Sequence, residues 1–124
     1  MKMRFVRSDQ SLGGDDMVVR GGQLDPEIVR ADARRMFDVY GVFGVSVFAV
    51  RDVTLDELAQ QPPLVRFAQL TLLRVGALRS SGLELEPTGR NLYHFTIVMD
   101  ELERGVDALC ACVRETWENP YHEV

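Results

Sequence analysis

Several side chains that can bind anions or move protons lie on and just before one predicted strand. The stretch Tyr93–Met99 is β-prone, and alternation along it places His94 and Thr96 on one face. An imidazole beside a hydroxyl can hold a phosphate or act as a general base with its orienting group. Arg90 and Asn91 precede the strand and are suited to anion and amide recognition. The stretch therefore predicts a binding loop with His94 as a proton carrier, and a plain surface turn is the alternative.

A second candidate site follows a short β-prone run in the N-terminal part of the chain. Met17–Arg20 is followed by Gly21 and Gly22, which let the backbone come close to a ligand while Arg20 directs a cation at it. The segment lacks the glycine pattern and the lysine of a phosphate-binding P-loop. The alternative interpretation is a glycine turn with a solvated arginine.

Carboxylates and a single buried hydroxyl complete the set of candidate residues. Glu84 and Glu86 share one face of a half-exposed strand, where they could do acid–base work or form a solvated surface. Ser46 is the lone polar side chain of the apolar run Val42–Val50. It has no base nearby in sequence and no Gly-x-Ser-x-Gly elbow, so a local hydrogen bond is favoured over a nucleophilic role.

Composition limits the classes of protein. The chain has 124 residues, is 46% hydrophobic and carries a net charge of -5, which indicates one domain with a real core and argues against general binding to a nucleic-acid backbone. Lys2 is the only lysine among the 14 basic residues, which indicates either a genome-wide preference for arginine or a surface that binds phosphate or carboxylate, where a guanidinium fits better than an ammonium. No apolar segment long enough for a membrane span or a secretion signal is present, which predicts a cytoplasmic protein.

The two cysteines give no sign of a metal site or a disulfide framework. Cys110 and Cys112 are two residues apart on a predicted helix, so their thiols point in different directions. Two thiols cannot complete a structural zinc site, which needs four ligands. We therefore predict reduced cysteines that behave as small apolar side chains, and no metal.

The elements that must position the candidate residues follow from caps and periodicity. Asp25 before Pro26 predicts a helix start, and Gly41 predicts its end. Thr54 with Glu57 resembles a capping box. The predicted helices cover 25–40, with an apolar stripe of Ile28, Ala31, Met36 and Val39; 54–61, ending before Pro62; and 100–117, with Val113 and Trp117 on the buried side. The predicted strands are 1–7, 17–20, 42–50, 83–86 and 93–99, and 64–80 favours one or two strands over a helix.

These elements lack a regular alternation of strands and helices. They predict an α+β fold with one compact domain over 1–124, built on a mostly antiparallel or mixed sheet of five to six strands with two to three helices. Segments 8–16 and 118–124 are expected to be a loop and a tail.

The order of three candidate residues resembles the Arg, Ser, Glu-x-Glu pattern of ADP-ribosyltransferase-like bacterial toxins. The matching residues are Arg20, Ser46 and the Glu84-Leu85-Glu86 segment. The resemblance implies that Arg20 and Ser46 hold NAD and that Glu86 is catalytic. The serine motif departs from Ser-Thr-Ser, and the chain is short for that family. In size and compactness, the chain is also similar to the single-domain effectors of bacterial toxin–antitoxin modules.

Two function classes fit these residues. The first is a small toxin-like bacterial enzyme acting on a nucleotide or RNA phosphate, in which Arg20, Arg90 and His94 converge in one pocket and His94 or Glu86 moves the proton. The second is a non-catalytic interaction module, antitoxin-like or homodimeric, which would show an exposed apolar patch or an edge strand used in pairing.

Overall fold

The computed structural model describes residues 12–89 and 91–123 and shows one antiparallel sheet with helices packed against it. The α+β prediction is confirmed, with six strands in the order β4-β5-β2-β1-β3-β6. The described part of the chain holds four α-helices, one more than the upper prediction. The predicted strand 1–7 lies outside the described residues.

The strands are β1 (Met17–Gly21), β2 (Phe43–Val50), β3 (Gln69–Arg74), β4 (Glu84–Pro87), β5 (His94–Met99) and β6 (Arg114–Glu118). The helices are α1 (Pro26–Tyr40), α2 (Leu55–Ala59), α3 (Val75–Ser80) and α4 (Leu102–Ala111), with a 3-10 turn at Leu64–Arg66.

The predicted start and end of α1 are confirmed, but its buried face is different. Asp25 accepts hydrogen bonds from the amides of Glu27 and Ile28, and Gly41 ends the helix with φ 81°. The predicted apolar stripe is wrong, because Val29 and Ala33 are buried whereas Ile28 and Val39 are more than half exposed. Val29 and Ala33 are four residues apart, about one helical turn, so the face that packs against the sheet is rotated from the predicted stripe.

The segment 64–80 contains both of the structures that its sequence allowed. A 3-10 turn comes first, then β3, and α3 follows directly after Arg74. The capping box at Thr54 is confirmed, with Glu57 bonded back to the Thr54 amide at 3.0 Å.

The sheet buries both faces of its middle strands. On one face, α1 and α4 cover a cluster that includes Val18, Val47 and Leu73. On the other face, α2 and the 3-10 turn cover a smaller cluster that includes Val19, Phe48 and Leu70. The prediction that 42–50 is a central strand is confirmed, because β2 lies between β5 and β1.

The C-terminal part of the chain corrects two predictions. The helix predicted over 100–117 ends at Ala111, and Cys112 turns the backbone into β6. Val113 is 85% exposed, although the helical pattern placed it in the core. The β-prone residues Thr116 and Trp117 pair with β3 instead, because backbone pairing with a neighbouring strand outweighs the helical spacing.

An ion pair joins α1 to α4 and predicts a pH-dependent contribution to stability. Arg30 donates to both carboxylate oxygens of Glu103 at 2.9 to 3.1 Å, and these hydrogen bonds lower the pKa of Glu103. A carboxyl with a lowered folded-state pKa stabilises the protein above its unfolded pKa, and this contribution disappears as the pH falls through the folded value. We expect Glu103→Gln to lower the urea midpoint at pH 7 and to have a smaller effect well below pH ~4.

Asp107→Asn provides the matched control for this measurement, since Asp107 lies one turn further along α4 and is exposed. Its urea midpoint should stay close to that of the wild type at both pH values. An effect of Glu103→Gln that is equal at neutral and acidic pH would contradict the ion-pair explanation.

Candidate functional site

The strands β1 and β2 separate where the first candidate site begins. Their ladder runs from Met17↔Val50 to Val19↔Phe48 and ends there. Ser46, two residues further along β2, pairs on its other side with Thr96 of β5. A Cβ at Gly21 would lie 2.3 Å from the Phe67 ring, so glycine at this position allows Phe67 to pack against the end of β1.

Arg20 fills the opening between the two strands. Its Nη1 donates to the Ser46 carbonyl at 3.5 Å, and its Nη2 forms an ion pair with Asp32 of α1. Asp32 also accepts from Arg35 at 3.0 Å, so one carboxylate is shared by two guanidinium groups. The Arg20 side chain is 10% exposed, and its buried Nε has no hydrogen-bond partner among the described residues. The cluster carries a formal charge of +1, which favours an anionic ligand.

Two pockets meet at this cluster, and together we call them the Arg20 groove. Both are lined by Arg20, Asp32 and Ser46. The first, of about 280 Å³, continues beneath Arg35 and Tyr40 of α1. The second, of about 210 Å³, has a mostly apolar wall formed by Ile28, Phe48, Pro63, Leu64 and Phe67. The groove therefore offers a cation beside a surface on which a flat ring could rest.

A row of polar side chains crosses the sheet from the Arg20 groove. Ser46 pairs with Thr96, and Thr96 pairs with Glu86 of β4. Directly paired residues share a face, so Ser46, Thr96 and Glu86 point to the same side of the sheet. Two strand spacings separate Ser46 from Glu86, which is about 10 Å. Arg20 contacts only the backbone carbonyl of Ser46, and its side chain points to the opposite face of the sheet, towards α1. The structure therefore brings Arg20 to the Ser46 backbone but does not place Arg20 and Glu86 on one face.

His94 and Thr96 share a face, as predicted, and both are held by Thr88. The Thr88 hydroxyl lies 2.8 Å from Nδ1 of His94 and 2.9 Å from the Thr96 hydroxyl. Nδ1 is also 3.1 Å from the Thr88 carbonyl. Because a carbonyl only accepts, this contact places the proton of His94 on Nδ1. Sequence reasoning missed Thr88, although the alternation of β4 continues from Glu86 to Thr88 and could have indicated it.

The predicted convergence of Arg20 with His94 is wrong. Val19, Phe48 and His94 form one cross-strand row and therefore share a face. Arg20 follows Val19 and points to the opposite face, towards α1. The third predicted member of that pocket, Arg90, lies outside the described residues.

The remaining candidate residues have separate surroundings. The Asn91 side chain accepts from the Tyr93 amide at 2.8 Å, which closes the turn before β5. Gly21 lines the Arg20 groove through its backbone. Glu84 is exposed and pairs with Arg79 at 3.2 Å, so its environment differs from that of Glu86 on the same face.

The surroundings of the two cysteines favour a structural role over a chemical one. Both are free thiols, and burial raises the pKa of Cys110. A raised pKa keeps the thiol protonated and disfavours a nucleophilic role. Within 12–89 and 91–123, no cluster of His, Cys, Asp and Glu side chains could hold a metal ion. No helix in that part of the chain combines the length and apolarity needed to cross a membrane.

One buried polar residue supports the wall of the Arg20 groove and was not predicted. Asn119 lies in the segment expected to be a loose tail, yet it is only 7% exposed. Its Nδ2 donates to the carbonyls of Ala59, Leu64 and Phe67 at 3.2 to 3.3 Å. The C-terminal segment is therefore bound to the loop that carries Leu64 and Phe67.

Comparison with known proteins gives no assignment: no protein-family model, curated protein or solved structure matches this chain significantly.

Proposed function

We propose that the protein is a toxin-like effector enzyme of the bacterial cytoplasm that binds a nucleotide, NAD in the first instance, in the Arg20 groove. Glu86 is its catalytic carboxylate, and the reaction transfers ADP-ribose from NAD to an acceptor. The observation that carries the proposal is the contact of Arg20 with Ser46, because Ser46 also begins the row that ends at Glu86. Arg20 contacts the Ser46 carbonyl from one face of the sheet, and Glu86 lies on the other, so in the proposal NAD extends from Arg20 through the opening between β1 and β2 towards Glu86.

The charges of the groove suit a pyrophosphate. Guanidinium groups form paired, charge-assisted hydrogen bonds with phosphate oxygens. Arg20 supplies a buried guanidinium with an unpartnered Nε, and Arg35 supplies a second one that is 70% exposed. Asp32 holds the two groups together before the ligand arrives, which lowers the ordering cost of binding.

The apolar wall suits the aromatic part of the same ligand. Phe48 and Phe67 line the second pocket together with Leu64, and an aromatic ring gains contact and edge or stacking interactions there. Phe48 also packs edge-on against His94, with ring centroids 5.3 Å apart. This contact links the apolar wall of the groove to the residues joined by the Thr88–His94–Thr96 hydrogen bonds.

The proposed reaction needs a carboxylate near the sugar. When the bond between the ribose carbon and the nicotinamide nitrogen breaks, nicotinamide leaves with the electron pair, and positive charge develops on the ribose. A carboxylate stabilises an oxocarbenium-like transition state and can take the proton of the attacking acceptor. Glu86 has this role in the proposal, whereas Arg20 and Ser46 hold the nucleotide.

A matched pair of glutamate variants tests the proposal. We expect induced wild-type protein to arrest the growth of a bacterial host and the purified protein to release nicotinamide from NAD, with water as the acceptor of the ADP-ribose. Glu86→Gln should abolish both effects, because an amide neither stabilises the developing charge nor accepts the proton. Glu84→Gln alters the same strand face two residues away and should behave as the wild type.

Equal nicotinamide release by Glu86→Gln and the wild type would exclude Glu86 as the catalytic group. Absence of nicotinamide release by folded wild-type protein, with arrest retained, would exclude NAD as the nucleotide.

A second candidate function is a non-catalytic interaction module. The observation that favours it is the exposed apolar side chains of α1, among which Phe37 is 44% and Val39 57% exposed. Phe37 also stacks on Phe43, with ring centroids 4.4 Å apart. If this function holds, Phe37→Ser, which lies outside the lining of the Arg20 groove, should remove any effect on growth, while Glu86→Gln should leave it unchanged. The enzyme proposal expects the opposite pattern.

A further inference from the structure

The outer edge of β6 presents its backbone groups in a defined register. The Asn119 amide donates to the Ala68 carbonyl at 2.8 Å, in the register that pairs Gln69 with Glu118. Bonded and non-bonded pairs alternate in an antiparallel ladder. The N–H and C=O groups of Glu115 and Trp117 therefore point to β3, and those of Arg114, Thr116 and Glu118 point outward.

A bond on the other side of β3 supports this assignment. The Gly22 amide donates to the Gln69 carbonyl at 2.8 Å, so Gln69 directs its backbone groups to β1 and away from Glu118. In the described part of the chain, no strand pairs with the outer edge of β6. All of its residues are exposed except Trp117, which is half-buried.

The two edges of the sheet differ in their capacity for further pairing. At the opposite edge, β4 ends in Pro87, which has no N–H to donate, and it carries Glu84 and Glu86 on one face. Antiparallel self-pairing centred on Leu85 would place these glutamates opposite each other, which is unfavourable. By contrast, β6 has no proline, and its outward-pointing charged residues Arg114 and Glu118 have opposite signs.

We propose that β6 pairs with β6 of a second copy of this chain, antiparallel about a twofold axis at Thr116. Backbone hydrogen bonds between the two β6 strands form only in registers that place outward-pointing residues of one copy opposite outward-pointing residues of the other. Centring on Glu115 would oppose that glutamate to itself, and centring on Trp117 would place Arg114 opposite Pro120, which lacks an N–H. Centring on Thr116 instead places Arg114 of each copy opposite Glu118 of the other, which gives two pairs of opposite charge.

Both charged side chains retain the capacity for this pairing. Arg114 uses Nη1 to bond the carbonyls of Cys110 and Cys112, and a guanidinium has further donors. Glu118 accepts from Gln69 through Oε1, which leaves Oε2 as an acceptor for the second copy. Since β3 and β1 separate β6 from the Arg20 groove, each copy keeps its groove accessible.

Sedimentation velocity across a dilution series tests the pairing. We expect a reversible dimer of the wild type and a monomer for Thr116→Pro. The proline removes an outward N–H that the β3–β6 ladder does not use, so the fold should tolerate it. A monomeric wild type at every concentration, or a dimeric Thr116→Pro, would overturn the proposal.

Charge reversal tests the register. Arg114→Glu and Glu118→Arg should each weaken dimerisation by about tenfold or more, because each opposes like charges twice across the interface. The double variant restores opposite charges and should return the dissociation constant to that of the wild type within about threefold. The double variant also lacks the Arg114 contacts to Cys110 and Cys112, so rescue cannot come from an improved fold. Failure of the rescue would exclude this register.

The same series separates other occupants of the edge. If Thr116→Pro lowers the stability of a protein that is already monomeric, the chain's own residues 1–11 are the occupant and the proposal is wrong. Nicotinamide release reports on the Arg20 groove and is independent of the measured mass. The dimer and the proposed enzymatic function can therefore fail separately.

Discussion

Replacing Arg20 with alanine should lower kcat/KM for nicotinamide release from NAD by about 1000-fold. The guanidinium is the buried cation of the Arg20 groove and contacts both Ser46 and Asp32. Each hydrogen bond from a charged group contributes about 1.5–3 kcal/mol, so losing two phosphate contacts corresponds to about a thousandfold. Removal of Arg20 also leaves the negative charge of Asp32 beside the ligand phosphates with only Arg35 to balance it, which adds repulsion.

Two further variants make the Arg20 result specific. Arg20→Lys keeps the charge but cannot reach Ser46 and Asp32 with one ammonium, so we expect an intermediate loss of about 100-fold. Arg34→Ala removes an exposed arginine on the same helix as Asp32 and should leave activity unchanged. Wild-type activity in folded Arg20→Ala, checked by urea unfolding, would show that the groove does not hold the nucleotide.

Replacing Asn119 with leucine should lower the free energy of unfolding by about 3 kcal/mol. The Asn119 side chain donates through Nδ2 to the carbonyl at the end of α2 and to two carbonyls of the segment that joins α2 to β3, and its Oδ1 accepts from the Tyr121 amide at 3.0 Å. Leucine leaves these buried carbonyls without their donor, and such losses cost about 1–3 kcal/mol each before relaxation. Urea unfolding at neutral pH measures the change.

Asn91 provides a matched control for Asn119. It makes the same local turn, since its side chain accepts from the amide two residues ahead, but it is exposed. Asn91→Leu should therefore cost about 0.5 kcal/mol. Equal losses for the two variants would mean that only the turns matter and that the three carbonyl contacts do not. Because the segment carries Phe67, Asn119→Leu should also raise KM for NAD.

Capping residues and short-range patterns predicted much of the fold. Asp25, Gly41 and Thr54 each have the predicted local geometry, because a cap depends on a few neighbouring residues. The apolar run at 42–50 correctly indicated a central strand. Helical spacing failed over 112–117, where pairing with β3 outweighed local propensity.

The candidate site was predicted in part, for a physical reason. Alternation along a single strand correctly placed His94 and Thr96 on one face, because that relation is local. The distance of Arg20 from His94 depends on which strands are neighbours, and no pattern within one strand encodes this order. Asn119 escaped notice for a similar reason, since its three partners are more than fifty residues away. Long-range relations of this kind require the assembled sheet.

The early end of the β1–β2 ladder makes the sheet mechanically uneven. Three residue pairs join these two strands, whereas six join β2 to β5 and five join β1 to β3. The sheet therefore consists of two three-stranded halves, β4-β5-β2 and β1-β3-β6, joined by the short β1–β2 ladder, and Arg20 lies where that ladder ends. Thermal bending of the sheet should concentrate at this ladder. A ligand that bridges Arg20 and Ser46 would restrain the two halves relative to each other, and amide hydrogen exchange along β1 and β2 should slow when it binds.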